Sequence, residues 1–464
     1  MTYIRCPRSF LAARTAIAHA EVPPALAERS AHWNGVRGWN LAGGRKAVLG
    51  RRSAGSALLL ACLLSVTLAR PAFAQPGELD TGFGGDGKVI TSFARRASVA
   101  TAVAIQADGK IVASGESGGA DSRFALARYN PDGSLDGTFG GDGRVRTDLT
   151  RLRDAVNAVA IQSDGRIVAA GQSGGVDATF VLVRYNADGT LDSTFGGDGS
   201  VTTDFTDGVD AANAVAIQAD GKIVAAGQSG GGEFALARYN MDGTPDTALA
   251  GDGTVTTDFS ERFDAASAVA IQPDGKIVAV GGGLARYNTD GSLDPTFGGD
   301  GKVTLDVACC ASVSVYDAAL QPDGQIVTAG ERFECFGGGG FSCESSFMLV
   351  RYNTDGTLDT TFGSNGVTFG VFGWARAVAL QGDAKIVAVG SAGGGNKFAI
   401  ARYDTDGTLD RSFDGDGRAY VNFTRNADHG FGVAIQTDGN IVAAGGAAVF
   451  GPHPKFALAR FIST

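Results

Sequence analysis

The chain has 464 residues, 70 of them glycine and 12 proline, with 44% hydrophobic and 19% charged residues. The apolar content excludes a disordered acidic chain, the missing Gly-X-Y period excludes collagen, and past residue 70 no apolar run is long enough for a polytopic membrane protein. Residues 1–74 hold 10 of the 39 basic and 2 of the 49 acidic groups, so the remainder carries 29 against 47, a net of −18, which argues against nucleic acid and anionic bilayers as partners.

Arg51 and Arg52 precede an apolar run at residues 57–68, and Ala72-Phe73-Ala74 follows. A basic flank, a short apolar core and an A-x-A site describe a secretory signal peptide over residues 51–74, cleaved after Ala74. Cys62 lies mid-core, where lipidation would leave a hydrophobic tail behind. Residues 1–50 make little sense ahead of a signal and read as a disordered extension from a start codon placed too early, with initiation near Val48 or Leu49. The expected location is secreted, periplasmic or cell-surface.

Residues 75–464 are a single domain of seven repeats. The A-R-Y-N segment recurs at Arg128, Arg184, Arg238, Arg286, Arg351, Arg402 and Arg460. A hairpin signature, A-V-A-I-Q-x-D-G-K-I-V-A-A-G, recurs with its turn aspartate at Asp108, Asp164, Asp220, Asp274, Asp323, Asp383 and Asp438. A third element, L-D-x-T-F-G-G-D-G, places Phe83, Phe139, Phe195, Phe297, Phe362 and Phe413, with Leu249 once.

Each unit reads as four strands, A to D. Strand A holds Ala102-Val103-Ala104-Ile105, and Asp108-Gly109 turns the chain into strand B at Ile111. Strand C runs from Phe124 to Tyr129, and Asn130-Pro131-Asp132-Gly133 is a turn. Strand D falls between Leu135 and Leu149, its register open. Neither face of strand A is polar, so both are buried, as in sheets stacked around an axis. The fold class is therefore all-β, a seven-bladed β-propeller of four-stranded blades. The N-terminal element at residues 79–93 is expected to complete the C-terminal blade and close the ring.

The run FALARYNPDGSLDGTFGGDGRV followed by AVAIQSDGRIVAAG resembles the delta-60 repeat of exported bacterial proteins, over nearly all of residues 77–462. The resemblance implies a propeller-like β fold and export, and no established reaction. Departures are Ala384 for a turn glycine, Ala248-Leu249-Ala250 in the fourth copy, and Phe461 for the last tyrosine.

Residues present in every copy read as scaffold. Each Arg, with an Asp eight positions later (Arg128 with Asp136, Arg402 with Asp410), reads as a repeated ion pair, and Arg460 would meet Asp80 at the seam. The G-x-S-x-G sequences around Ser117, Ser173 and Ser229 lack the helix that a nucleophile elbow requires. Acidic turns such as Asn130–Asp136 fail the EF-hand pattern. No catalytic residue, cofactor or metal site is assigned, and calcium alone stays open.

Variation sits in the B–C and D–A loops, on one face, where a rigid scaffold presents binding residues. Arg332 to Ser346 reads as a long B–C loop. The four cysteines of residues 75–464, Cys309, Cys310, Cys335 and Cys343, fall in one blade and read as two disulfides of undetermined pairing, with a four-cysteine zinc site as the rival. The candidate ligand-binding surface is Phe333, Phe336, Phe341, Trp374, Arg376, His429, Phe450 and His453. The leading functional reading is a monomeric, non-enzymatic binding scaffold whose partner is a polysaccharide or a protein. The alternatives are a propeller lyase or hydrolase, which requires polar residues unique to single copies converging on the axis, and a structural matrix protein.

Overall fold

The computed structural model describes residues 75–464 apart from 94–95, 120, 260–263, 305–310, 337–341, 394–395 and 452, with the backbone alone at 176, 311, 336 and 342. The N-terminal extension, the signal peptide, Cys309, Cys310 and Phe341 lie outside the described residues.

The first unit shows how the repeat folds. Ser98–Ile105, Ile111–Ser117, Arg123–Tyr129 and Arg144–Thr147 pair in succession, all antiparallel. Strand D, whose register the sequence left open, sets Phe124 opposite Thr147. Strand A carries a bulge between Ala100 and Ala102, so Thr101 is the extra residue. Gly115 faces that bulge: a Cβ there would lie 2.0 Å from the Val99 carbonyl oxygen. This close approach is why the hairpin signature ends in glycine.

Five sheets have four strands and one has seven. The long sheet departs from the expected separate blades. Val367–Leu380 is one continuous strand of 14 residues. Its first half pairs with Ser342–Tyr352 as strand D of one unit, and its second half pairs with Ile386–Ala392 as strand A of the next. No turn-forming cluster interrupts VTFGVFGWARAVAL, so extended backbone continues through.

The expected B–C loop from Arg332 to Ser346 is also strand. Ile326–Phe336 and Ser342–Tyr352 extend as a ribbon, and Cys335 stands opposite Cys343 and is disulfide-bonded to it. That bond takes two thiols away from any four-cysteine zinc site.

The sheets pack face to face. Val112, Phe124 and Leu126 of the first unit share a core with Val156, Ile167 and Val181 of the second. The small alanines of alternate positions let such sheets approach. The N-terminal strand Lys88–Thr91 is the outer strand of the C-terminal sheet, with Val89 opposite Leu458. That sheet packs on the first unit, where Phe93, Phe456 and Leu458 meet Ala100 and Ile111.

The repeated arginines tie units together. Arg128 Nε donates to Asp136 at 2.8 Å, its Nη2 to Thr138 Oγ1 at 3.1 Å, and its Nη1 to the Ala187 carbonyl of the next unit. Its guanidinium lies 4.7 Å from the centre of the Phe139 ring. Arg460 repeats this at the chain ends, bonding Asp80 at 2.8 Å and the Pro131 carbonyl. Among the described residues no helix is long and apolar enough to cross a membrane.

Candidate functional site

The strands A of all seven copies line one cavity of about 480 Å³. Its wall at one level is apolar in most copies, with Ala102-Val103, Ala158-Val159, Ala214-Val215 and Ala268-Val269. The next level is set by the bulge. Each strand A places one extra residue there: Thr101, Asn157, Asn213, Ser267, Tyr316, Arg376 and Phe431. All seven line the cavity.

These residues divide into two sectors. In the first, small polar side chains staple neighbouring strands: Thr101 Oγ1 donates to the Val156 carbonyl at 2.7 Å, Asn157 Nδ2 to Ala212 at 2.9 Å, and Asn213 Nδ2 to Ala266 at 3.0 Å. In the second, three consecutive copies carry large, unlike residues. Arg376 lies over the Tyr316 ring at 3.9 Å. The Tyr316 hydroxyl donates to Glu331 at 2.7 Å. Burial, followed by the Glu331 hydrogen bond and charge against an opposing Arg376 charge, holds the Tyr316 phenol above its ordinary range.

Asp317 replaces the alanine of the neighbouring copies. It lines the cavity half-buried, and the surrounding protein pushes its carboxyl up to about 6. Two backbone amides, Val378 N and Ala318 N, each donate to it at 2.8 Å and offset only part of that penalty.

The expected binding residues separate in the structure. Trp374, His429 and Phe450 gather, with ring centres of Trp374 and His429 6.0 Å apart and of His429 and Phe450 5.2 Å apart. Phe431 joins His429 at 5.9 Å. Phe450 is 76% exposed. Phe333 stands on the disulfide ribbon, away from these ring contacts, and Phe336 is the last residue of that strand. His453 is exposed and makes no ring contact among the described residues. Trp374, Arg376 and Phe333 lie on strands rather than on loops, because the loops expected around them continue as sheet, and His429 opens its strand A.

Sequence reasoning missed Tyr316, Asp317, Glu331 and Phe431. The signal was present: aligned on the hairpin signature, Asp317 falls where other copies have Ala102, Ala158, Ala214, Ala268, Ala377 and Gly432. What was missing was the bulge, which turns that column of the repeat toward the axis.

Of the serines in the G-x-S-x-G sequences, Ser173 ties loops together, Ser229 accepts from Glu233 N at 3.4 Å, and the Ser117 hydroxyl is buried without a partner among the described residues. Ser173 Oγ donates to the buried Asp154, which also accepts from Leu149 N and Thr150 N and so ties a D–A loop to a B–C loop. The acidic turns bond themselves: Asp132 accepts from Ser134 N at 2.9 Å and Ser134 Oγ at 2.7 Å. Among the described residues no group of three or more His, Cys, Asp or Glu is placed to hold a metal.

Six segments, residues 106–139, 162–195, 218–248, 272–297, 321–362 and 381–413, match the model of a domain of unknown function (DUF5122) beta-propeller. The fold is a β-propeller. No curated protein matches the sequence of this propeller. Solved structures similar to it include virginiamycin B lyase from Staphylococcus aureus with quinupristin, at 11% identity and TM-score 0.45 over 80% of this chain and 98% of that one. The polysaccharide lyase Uly1 is similar at 12% identity and TM-score 0.45, over 78% and 90%. The Pan2 WD40 domain of Neurospora crassa is similar at 8% identity and TM-score 0.40, over 78% and 88%.

Proposed function

We propose that this chain is an exported, non-enzymatic binding propeller of seven blades, closed by the N-terminal strand, whose ligand enters the axial cavity. Closure is supported by the pairing of Lys88–Thr91 with Lys455–Phe461 and by the Arg460 bonds to Asp80 and Pro131. Export is supported by the signal-like segment at residues 51–74 and by the Cys335–Cys343 disulfide.

The observation that carries the reading is the asymmetry of the bulge column. A scaffold needs the same residue in every copy, and Thr101, Asn157, Asn213 and Ser267 come close to that. Tyr316, Arg376 and Phe431 break the pattern in three adjacent copies. A cavity of this size, lined by polar and apolar groups together, is what small-molecule and chain-end ligands occupy.

The test is thermal unfolding of the purified protein with envelope polysaccharides, peptides and small metabolites, run beside Ser267→Trp. That position already holds Tyr, Arg or Phe in other copies, so tryptophan should fold there and fill the cavity. A ligand that raises the midpoint of the parent and not of the variant supports axial binding. Equal shifts in both would move the site elsewhere.

Asp317 favours a second reading, an enzyme of the same cavity. A carboxyl held near 6 beside Tyr316 and Arg376 is suited to proton transfer near neutral pH. Turnover of a bound ligand, lost in Asp317→Asn with binding retained, would select it.

A further inference from the structure

We propose that the axial ligand carries a carboxylate on a ring-bearing body, and that Arg376 is the residue that takes the carboxylate. This deepens the axial-binding reading and rests on it.

Arg376 is unlike the arginines of the repeat. Those are tied to an aspartate and to a carbonyl of the next unit, as Arg184 is to Asp192 at 2.7 Å and to Met241. None of the nitrogens of Arg376 makes a hydrogen bond or an ion pair among the described residues, and its Nε is buried without a partner. It is the one cation among the cavity-lining residues. A buried Nε without a partner costs stability, while the terminal nitrogens are not buried and stay open to a ligand. Stacking on Tyr316 instead fixes its plane.

The acids nearby do not fill that role. The Glu331 carboxylate accepts from the Tyr316 hydroxyl. The Asp317 carboxyl accepts from Val378 N and Ala318 N, so it is turned to the wall. In the polar sector across the cavity, Thr101, Asn157 and Asn213 give protons to strand carbonyls, and Asn157 also donates to the Asn213 amide oxygen. Arg376 is the one cation of the lining that an anion can meet, and a planar guanidinium matches a carboxylate with two parallel hydrogen bonds.

The rest of the ligand is set by the walls. Phe431 lines the cavity on the strand beside Arg376, and valines and alanines line most of its remaining circumference. Phe431 and these side chains offer a face on which a ring can pack, beside the polar groups of the bulge column. The volume, about 480 Å³, admits a single ring with its substituents.

Benzoate, benzamide and acetate serve as probes in ligand-observed NMR and calorimetry on the purified protein, with Arg376→Gln, Arg376→Lys and Ser267→Trp beside it. Benzoate should bind, with benzamide and acetate each at least about tenfold weaker. Arg376→Gln should remove the preference for benzoate over benzamide, Arg376→Lys should keep part of it, and Ser267→Trp should abolish binding. An unchanged melting midpoint in Arg376→Gln would show that it is folded. Equal binding of benzoate and benzamide, an unchanged preference in Arg376→Gln, or no benzoate binding at all would overturn the proposal. If a larger ligand is blocked by Ser267→Trp but indifferent to Arg376→Gln, the axial cavity stands and the carboxylate class falls.

Discussion

Asp317 and the repeated aspartates show how one residue type responds to two settings. Burial alone would raise Asp136, but hydrogen bonds from Thr138 and Lys110 and the Arg128 charge outweigh it and hold the carboxyl well below the usual range. Asp294 and Asp410 follow the same pattern, and Asp359 is lowered to about 2, chiefly by Thr361. These groups stabilise the fold above their ordinary pKa of 3.8, and that contribution is lost as the pH falls through their folded values. Asp317 has the opposite sign. Its folded value of about 6 exceeds 3.8, so the folded state favours the proton, and stability present below about pH 4 is lost as the pH rises toward 6. Going from pH 4 to pH 8, the unfolding free energy of Asp317→Asn should therefore gain about 2–3 kcal/mol on that of the parent, whatever the Asn costs at both pH values by facing one of the two amides with its NH2. Urea unfolding at the two pH values checks this, and an equal difference from the parent at both would refute it.

At the scale of the strand, a hydroxyl pair locks strand D of one unit to strand C of the next at Tyr129, Tyr185, Tyr239 and Tyr287, whereas the Tyr403 hydroxyl is buried without a partner among the described residues. Tyr185 and Thr147 lie 2.7 Å apart and buried, as do Tyr129 and Thr91. The last unit drops the pair as a whole: Phe461 replaces the tyrosine, and Val421 stands in its core where the threonine would be. The chain thus contains its own double substitution. Thr147→Val alone strands a buried phenol and should cost about 1–3 kcal/mol, whereas Thr147→Val with Tyr185→Phe should cost less than either single change. A double-mutant cycle in urea reads the coupling, and additive losses would mean that the hydroxyls do not bond. The same scale explains why Arg332–Ser346 was misread. Glycines at residues 337–340 signal a loop, but the cross-strand Cys335–Cys343 pair and the alternation around it extend the sheet almost to the tip.

For the whole molecule the question is the seam. In the closed ring proposed here, Arg460 does at the chain ends what Arg128 does in the interior, bonding an aspartate and a carbonyl of the following unit. Arg460→Ala should then cost about 3 kcal/mol, at least as much as Arg128→Ala, because it leaves Asp80 without a cation whereas Lys110 stays 3.1 Å from Asp136. A ring open at the seam would make the Arg460 change nearly silent in thermal unfolding. Gly432 supports closure from the axis: a Cβ there would lie 3.1 Å from the Ala102 Cα, so the last strand A packs against the first.

The sequence by itself determined the repeat, its strands and its turns, because hydrophobic alternation and Asp-Gly chemistry act between near neighbours. It determined the Arg128–Asp136 type of pair and the Arg460–Asp80 contact, because each copy repeats the same local spacing. Only the tertiary structure decided which column of the repeat faces the axis. A bulge shifts register by one residue, and the glycine that closes the hairpin signature marks the close approach without telling which residue of the facing strand is the extra one. That single residue turns Tyr316, Arg376 and Phe431 from core filler into the lining of a cavity. Strands A of three successive units then bring a guanidinium, a raised carboxyl and aromatic rings to one place, and only packing around the axis joins them.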